Sequence, residues 1–500
     1  MNASSFLAQY SGEEILTQSI LLGSYLVSMS IAGLIFEKVS RHRSKSNLFL
    51  VCEILNAFSG GFFILLFCLS ISLYLLYVNP FVFSPIEIPL QILFIVSIPI
   101  VFILGFFSGL QLPLLLKLNN DHQSEIISLN YVGALVAGIF LNRFIATNMS
   151  WEMMVLFPLL ISFATVLLFI SFQHFMSIFT ALLILISFMF INVKYLERSI
   201  KFEKLVYYLG LKLDRNNSFI NQFQNINNFG KVESYRSRYQ QIDLVSERPQ
   251  ADQIFLGNFT MFLNRRPQFD LYTYKIYHDS MISGALNLSQ VTVKNVLVLG
   301  AGDGGLVNEL LKNKSVQSVT LVEIDETIIE ISKTHEILSR LNNFIFSRND
   351  ERLKIFVTNA ISFLRESNNK FDAIFVDFPY PYSDQIRQLY SREFYRLIER
   401  NLSDIGFVIV DFPLEDSVNG QRLSTCFVNS MKASGFRSFF AFGPYANFVF
   451  AEKTLRSIGF DFSKFDENLS VATALNMLQI NIDLNSNQEC VFSIFGKNKI

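Results

Sequence analysis

Three carboxylates and one amide, each beside a turn or a strand end, carry the chemistry this chain offers. Asp303 lies inside the run Gly300-Ala-Gly-Asp-Gly-Gly305, Glu323 follows 23 residues after Gly300, and Asn359 and Asp377 come further on. Gly300, Gly302 and Gly304 let a backbone turn tightly and approach a ligand closely. An acid spaced like Glu323 can accept hydrogen bonds from both hydroxyls of a ribose. Asp303 is more specific. A loop that only cradled phosphate would avoid a carboxylate, because like charges repel at short range, whereas a loop holding a cationic arm would want one. The pattern reads as a site for a sulfonium nucleoside with an ammonium tail rather than a dinucleotide. S-adenosylmethionine and its decarboxylated form both fit. Two plainer readings stand beside this one: a glycine-rich loop between core strands, and an Asp303 that only caps the next helix.

The elements that must position these residues are legible. Val296–Leu299 is an apolar run entering the glycine turn, and Val319–Glu323 is a second strand ending on an acid. Lys354–Val357 reads as a third strand followed by Asn359, Phe371–Asp377 as a fourth and Gly406–Asp411 as a fifth, with helices between them. In open parallel sheets ligands sit beyond the carboxyl ends of the strands, and Gly300, Glu323, Asn359 and Asp377 would share that edge. Asp377 is followed by Phe378-Pro-Tyr-Pro381, a stiff ring-lined loop, and can act as general base on an amine or hydroxyl. Upstream, the alternation in Tyr239–Val245 and Gln253–Phe259 predicts a small antiparallel β-subdomain, and Tyr272–Leu286 a helix leading into the first parallel strand.

The first part of the chain differs. Overall, 51% of residues are hydrophobic and the mean hydropathy is +0.36, high for a soluble protein, and residues 15–193 are almost unbroken apolar runs. A span needs about 20 apolar residues, and Ile15–Phe36, Leu48–Val78, Leu90–Leu116, Ile126–Ala146, Glu152–Ser171 and Phe175–Val193 qualify. Pro99 should bend the third. Glu53 and Arg143 read as interfacial or snorkelling charges. The basic cluster Lys38, Arg41, Arg43 and Lys45 and the cluster Lys194, Arg198, Lys201 and Lys204 should both be cytoplasmic, yet five spans between them put them on opposite sides. The net charge of −1 gives no reason to expect nucleic acid. The spacing of the four cysteines and five histidines predicts no disulfide framework and no metal site.

These residues resemble the spermidine synthases, in particular their membrane-fused bacterial branch. Tyr239-Gln240, Leu263 to Gln268, Tyr277-His278-Asp279, Gly300–Gly305, Glu323-Ile-Asp325, Asp377-Phe-Pro-Tyr-Pro381 and Leu389–Arg396 carry the resemblance in order, and Gly109–Leu115 and Asn130–Gly138 extend it into the spans. The resemblance implies aminopropyl transfer from decarboxylated S-adenosylmethionine, a co-substrate, to a diamine such as putrescine, with no permanently bound cofactor. It implies that Asp377 is the catalytic base, helped by Tyr277. Gln240, Gly300, Gly302, Asp303, Glu323 and Asn359 would bind the donor, and Tyr277, His278, Asp279 and Tyr380 would line the acceptor side. Three positions depart from the family pattern. Tyr380 stands where a second Asp that binds the acceptor amine is usual. Asn359 stands where an acid near the adenine amino group is usual, although its carbonyl can still accept a hydrogen bond. Asp279 replaces a Glu.

The expected architecture is a multi-pass α-helical membrane domain (1–193), a linker (194–231), a small β-subdomain with a connecting helix (232–290), an α/β Rossmann-like, class I methyltransferase-like domain (291–455) and a C-terminal tail packed on it (456–500). The expected location is the inner (plasma) membrane with the catalytic domain in the cytoplasm. Amine and nucleoside substrates, the lipid bilayer and a second copy of the chain are the expected partners. A transferase with another acceptor, including a methyltransferase, and a non-catalytic membrane protein that binds polyamine or nucleoside are the alternatives.

Overall fold

The computed structural model describes residues 14–41, 44–78, 90–140, 195–209, 219–247, 259–289, 291–381, 384–411, 417–418, 421–443, 447–461, 463, 470–480 and 491–492. The chain divides into two compact units, Met1–Pro267 and Gln268–Ile500.

The first unit begins with helices α1 (Glu14–Ser40), α2 (Lys45–Val78), α3 (Leu90–Leu118) and α4 (Gln123–Phe140). Among the described residues, Leu16–Ser40 and Leu90–Leu118 are long and apolar enough to cross a bilayer. The expected spans Glu152–Ser171 and Phe175–Val193, with the end of Ile126–Ala146, lie outside the described residues. Helix α3 runs through Pro99. It meets α1 through small residues: a side chain at Gly105 or Gly109 would come within 2.5 Å of the Tyr25 or Met29 carbonyl oxygen, so the two backbones approach closely. Glu53 does not reach outward alone; it accepts a hydrogen bond from Gln111 of α3.

Part of the expected linker is instead a helix, α5 (195–209), with Leu196, Ile200, Phe202, Leu205 and Val206 buried. Two of its charges are internal. The Lys204 ammonium contacts Asp243 at 2.8 Å, with the side chains only 4% and 1% exposed, and Asp243 also accepts from Ser234 and Tyr208. Glu203 accepts both arms of Arg265 at 2.9 and 2.8 Å. Lys204 therefore serves packing, which removes it from the basic cluster that set the expected orientation. The partners lie on or beside the β-subdomain, a sheet in the order β1 (Gly230–Arg236), β2 (Gln241–Glu247), β3 (Phe259–Leu263), β4 (Arg266–Asp270). Most of the second strand predicted there, 253–258, lies outside the described residues.

The second unit opens with α6 (Leu271–Leu288). Asp270 caps it, accepting from the backbone N–H of Tyr272 and Thr273, while Thr273 bonds back to Asp270; this reciprocal box fixes where the helix starts. A seven-stranded sheet follows. It contains β5 (Asn295–Gly300), β6 (Ser318–Glu323), β7 (Leu353–Val357), β8 (Phe371–Asp377), β9 (Leu402–Asp411), β10 (Ser438–Phe442) and β11 (Phe448–Glu452), in the order β10-β11-β9-β8-β5-β6-β7. Strands β5 to β9 are parallel, and β11 runs against them, pairing antiparallel with both β9 and β10. Val296 to Leu299 and Ala373 to Phe375 are fully buried, as helices on both faces of a parallel sheet require. The strand order reverses about β5, so the crevice for a ligand opens at the carboxyl ends of β5 and β8. Residues past β11 fold back on α6, where Asn287 exchanges two hydrogen bonds with the Asp461 backbone. Cys426, in α7 (Leu423–Lys432), is disulfide-bonded. Cysteine spacing did not announce this, because a bond that only folding closes leaves no local pattern.

Arg265→Met strands the Glu203 carboxylate in a dry site and should cost about 3–5 kcal/mol, whereas replacing both partners by Met should recover most of that loss. Thermal and denaturant unfolding of the purified variants measures both; equal losses in the single and double variants would rule the buried pair out as the cause.

Candidate active site

The glycine turn and its neighbours assemble at the predicted edge. Gly300 has φ +85°, and a Cβ there would lie 2.0 Å from the carbonyl oxygen of Asp377, its register partner on β8. Only glycine lets the two strand ends abut. Gly302 turns its bare face to Glu323, whose Cγ and Oε2 would lie 3.0 Å from an added Cβ. Gly304, at φ +82°, starts α8 (Gly305–Lys312). Gly305 was not singled out in the sequence, yet a side chain there would strike the Tyr274 hydroxyl at 2.5 Å and the His278 ring at 2.4 Å. Helix α6 can therefore press its Tyr274–Tyr277–His278 face onto the turn; residues three and four apart share a helix face.

Around this turn the polar groups converge. The Tyr277 hydroxyl donates to Asp377 Oδ1 at 2.7 Å. His278 Nε2 is 3.6 Å from Asp303 Oδ2, and His278 Nδ1 is buried without a formed hydrogen bond. The buried Tyr274 hydroxyl lies beside Asp303; burial, then that carboxylate, raise it well above the usual phenol range. The other Asp303 oxygen accepts a long bond, 3.3 Å, from the Gly305 N–H. The capping role is thus weakly filled, and the other carboxylate oxygen faces His278. Ligand atoms of His278, Asp303 and Asp377 lie within 4.8 Å of one another, a donor set that suits a cation. Among the described residues neither acid has a Lys or Arg partner.

Burial, then the charge of Asp303, pushes the Asp377 carboxyl up to about 6; His278 and the Tyr277 hydrogen bond pull the other way. Tyr277 is pushed well above the usual phenol range by burial and then by Asp377 and Asp411. Glu323 ends β6 with its Oε1 accepting from the Asp325 N–H at 2.9 Å. Burial raises it to about 7, partly offset by that bond. Asp325 caps the next helix through Thr327.

The remaining predicted residues sit differently. Asn359 is exposed and caps a helix, its Oδ1 accepting from Ile361 at 2.8 Å and Ser362 at 3.3 Å. The carbonyl expected to accept from an adenine is already occupied, which leaves the amide N–H groups as its free function. Asp279 projects to another side of α6, where Lys275 is 4.0 Å away; burial and then Glu309 raise its carboxyl. Tyr380 is partly buried against the core on the β8–β9 side. Gln240, in the first unit, forms the turn between β1 and β2, its N–H bonded to Ser237 Oγ. Tyr390 escaped notice in the sequence except within a motif; its hydroxyl donates to the carbonyl oxygens of Phe378 and Pro379, both at 3.3 Å, and so holds the loop after Asp377. Its separation from that loop, with a helical turn between, gave no local signal.

A doubly wound sheet with a glycine turn, and with Glu323 and Asp377 ending strands beside its switch point, is an architecture that can hold a nucleoside. Residues 274–439 match the spermine/spermidine synthase domain. That match spans about a third of the chain, and the curated relatives to which the chain is similar are polyamine aminopropyltransferases. The chain is 28% identical over 418 residues to a polyamine aminopropyltransferase of Leptospira interrogans, covering 79% of this chain and 72% of that protein. That share exceeds the second unit alone, so the likeness reaches into the first. It is 37% identical to polyamine aminopropyltransferase 1 of Streptomyces coelicolor over 181 residues, covering 36% of this chain and only 32% of that protein. Among solved structures, a spermidine synthase in complex with the transition state analogue AdoDATO matches 50% of this chain and 85% of that one, with a TM-score of 0.41 and 25% identity.

A ribose held there would donate its hydroxyls to an ionised Glu323, so nucleoside binding would favour loss of the proton that burial retains up to about pH 7. Affinity for methylthioadenosine should rise with pH toward that value, by at most about tenfold per unit, and flatten above it. Calorimetric titration across pH checks this, and Glu323→Gln should weaken binding and remove the slope. A slope unchanged in Glu323→Gln would assign it to another group.

Proposed function

We propose that the second unit moves the aminopropyl group of decarboxylated S-adenosylmethionine to a diamine such as putrescine. One observation carries this reading: two acids, Asp303 and Asp377, face one small space with no Lys or Arg partner among the described residues and with Tyr277 bonded to one of them. Uncompensated negative charge at a nucleoside site favours a cationic donor tail and a cationic acceptor. Asp303 pairs with the donor's ammonium, and its charge repels the carboxylate of ordinary S-adenosylmethionine, which gives selectivity through an unfavourable contact. Glu323 holds the ribose against the bare face of Gly302. Asn359 completes the donor side through its amide N–H groups, while His278, Asp279 and Tyr380 belong to the acceptor side.

The acceptor amine, with a pKa of about 10, is protonated at neutral pH and must lose a proton before it attacks. Asp377, raised to about 6, is ionised at neutral pH and takes that proton. The nitrogen lone pair then forms a bond to the carbon beside the sulfonium. The carbon–sulfur bond breaks, its electron pair stays on sulfur, and neutral methylthioadenosine leaves. Tyr277 orients Asp377 throughout.

The same reading makes the first unit a membrane anchor of about six spans within residues 1–193, with the catalytic unit on the cytoplasmic side, where the donor is made. Outward-facing Leu22, Leu26, Leu34, Ile95, Leu129 and Val132 on α1, α3 and α4 support a lipid-facing surface. Membranes washed at alkaline pH should retain the full chain, and its release into the supernatant would remove the anchor.

Incubation with decarboxylated donor and a panel of amines, read by mass spectrometry, tests the reaction. Asp377→Asn should lower turnover by about 10²- to 10⁴-fold with donor binding nearly intact. Asp303→Asn should instead weaken donor binding about 10- to 150-fold, the range for losing one charge-assisted contact, and admit carboxylated donor. Small and equal effects of both changes would make these acids structural and favour a non-catalytic binding role.

A further inference from the structure

The family pattern expects a second carboxylate three residues after Asp377, and this chain has Tyr380 there. The adjacent strand supplies an acid that the sequence reading left unassigned. Strand β9 runs parallel to β8 with Val410 paired to Val376, so the next residues, Asp411 and Asp377, end neighbouring strands on one edge, and equal register puts them on the same face. On its other side Asp411 is paired with Phe448 of β11, whose ring packs 5.2 Å from that of Tyr277. Asp411 also helps raise the hydroxyls of Tyr277 and Tyr390. One of these holds Asp377 and the other holds the loop that carries Tyr380.

We propose that Asp411 holds the far ammonium of the acceptor, so that this chain selects diamines over monoamines through an acid on β9 rather than in the loop after β8. The assignment rests on the aminopropyl reading above. A diamine enters as a dication. Asp377 strips a proton from one end, and the other end stays charged and needs an anion of its own. Neighbouring strands lie about 4.8 Å apart, so two strand-end carboxylates can serve the two ends of one short chain. Tyr380, a neutral phenol, cannot supply that charge.

The test uses the full chain, decarboxylated donor, 1,4-diaminobutane and n-butylamine. Wild type should show a lower KM for the diamine. Asp411→Asn should raise the diamine KM about 10- to 150-fold, as expected for losing a hydrogen bond to a charged group, and change the butylamine KM far less. Asp411→Glu should keep the preference, and thermal stabilisation by methylthioadenosine should persist in both variants. A wild type without diamine preference overturns the assignment even if Asp411→Asn does not fold, and so does an equal loss on both amines in a folded variant. A wild type that aminopropylates no amine at all sinks the aminopropyl reading itself, an outcome distinct from either of those.

Discussion

The site depends on one close approach. Strands β5 and β8 end side by side because Gly300 has no side chain to strike the Asp377 carbonyl, 2.0 Å from where a Cβ would stand. That contact sets the turn carrying Asp303 against the strand end carrying Asp377. Gly305 repeats the device on the other side, where Tyr274 and His278 occupy the volume a side chain would need. Two acids are thereby enclosed together. Enclosure removes water, and proximity adds repulsion, so Asp377 holds its proton to about 6. The same absence of water that perturbs the acid strengthens its attraction for a cation. Backbone sterics, electrostatics and chemistry follow in that order from residues without side chains.

Much of this edge was legible in the sequence because its signals are local. A buried strand must be continuously apolar, a tight turn needs glycine, and a strand end is where a parallel sheet presents polar groups. Glu323, Asp303 and Asp377 fall where those rules put them. What the sequence did not yield depends on tertiary partners. Tyr390 reaches the Phe378–Pro379 carbonyls from a separate element, and Asp411 gains meaning only from strand order. Asn359 shows the opposite error. Its type and position suited an adenine contact, but an Asn before a helix is also a good cap, and the local backbone bonds took its oxygen.

The helix at 195–209 failed for a different reason. Buried charges look like surface charges in a sequence. Glu203 and Lys204 are adjacent and hydrophilic, yet each is sheathed by a partner from the β-subdomain side: Arg265 for one, Asp243 for the other. Such pairs contribute little net stability relative to a well-packed apolar core. Their effect is on specificity, because a helix shifted by one turn would leave both charges dry and unpaired. The arrangement fixes one register for the segment that follows the apolar part of the chain.

The distribution of acids separates two demands that a transferase of this kind must meet. Donor recognition needs a carboxylate that leaves the ammonium its proton, and base catalysis needs one that takes a proton up. On the proposed reading Asp303 meets the first demand and Asp377 the second, from different surroundings. Asp303 faces a histidine and a helix N–H, groups that steady an anion. Asp377 has burial and the repulsion of Asp303 on one side, and on the other His278 and one phenol, itself raised well above its usual range and so a neutral donor. On the proposed reading the donor-side acid tunes the base: an ammonium bound at Asp303 would relieve the repulsion on Asp377 and lower its affinity for a proton. Occupation of the donor site would then make Asp377 a weaker base but keep it ionised, ready to accept the acceptor's proton when the amine arrives.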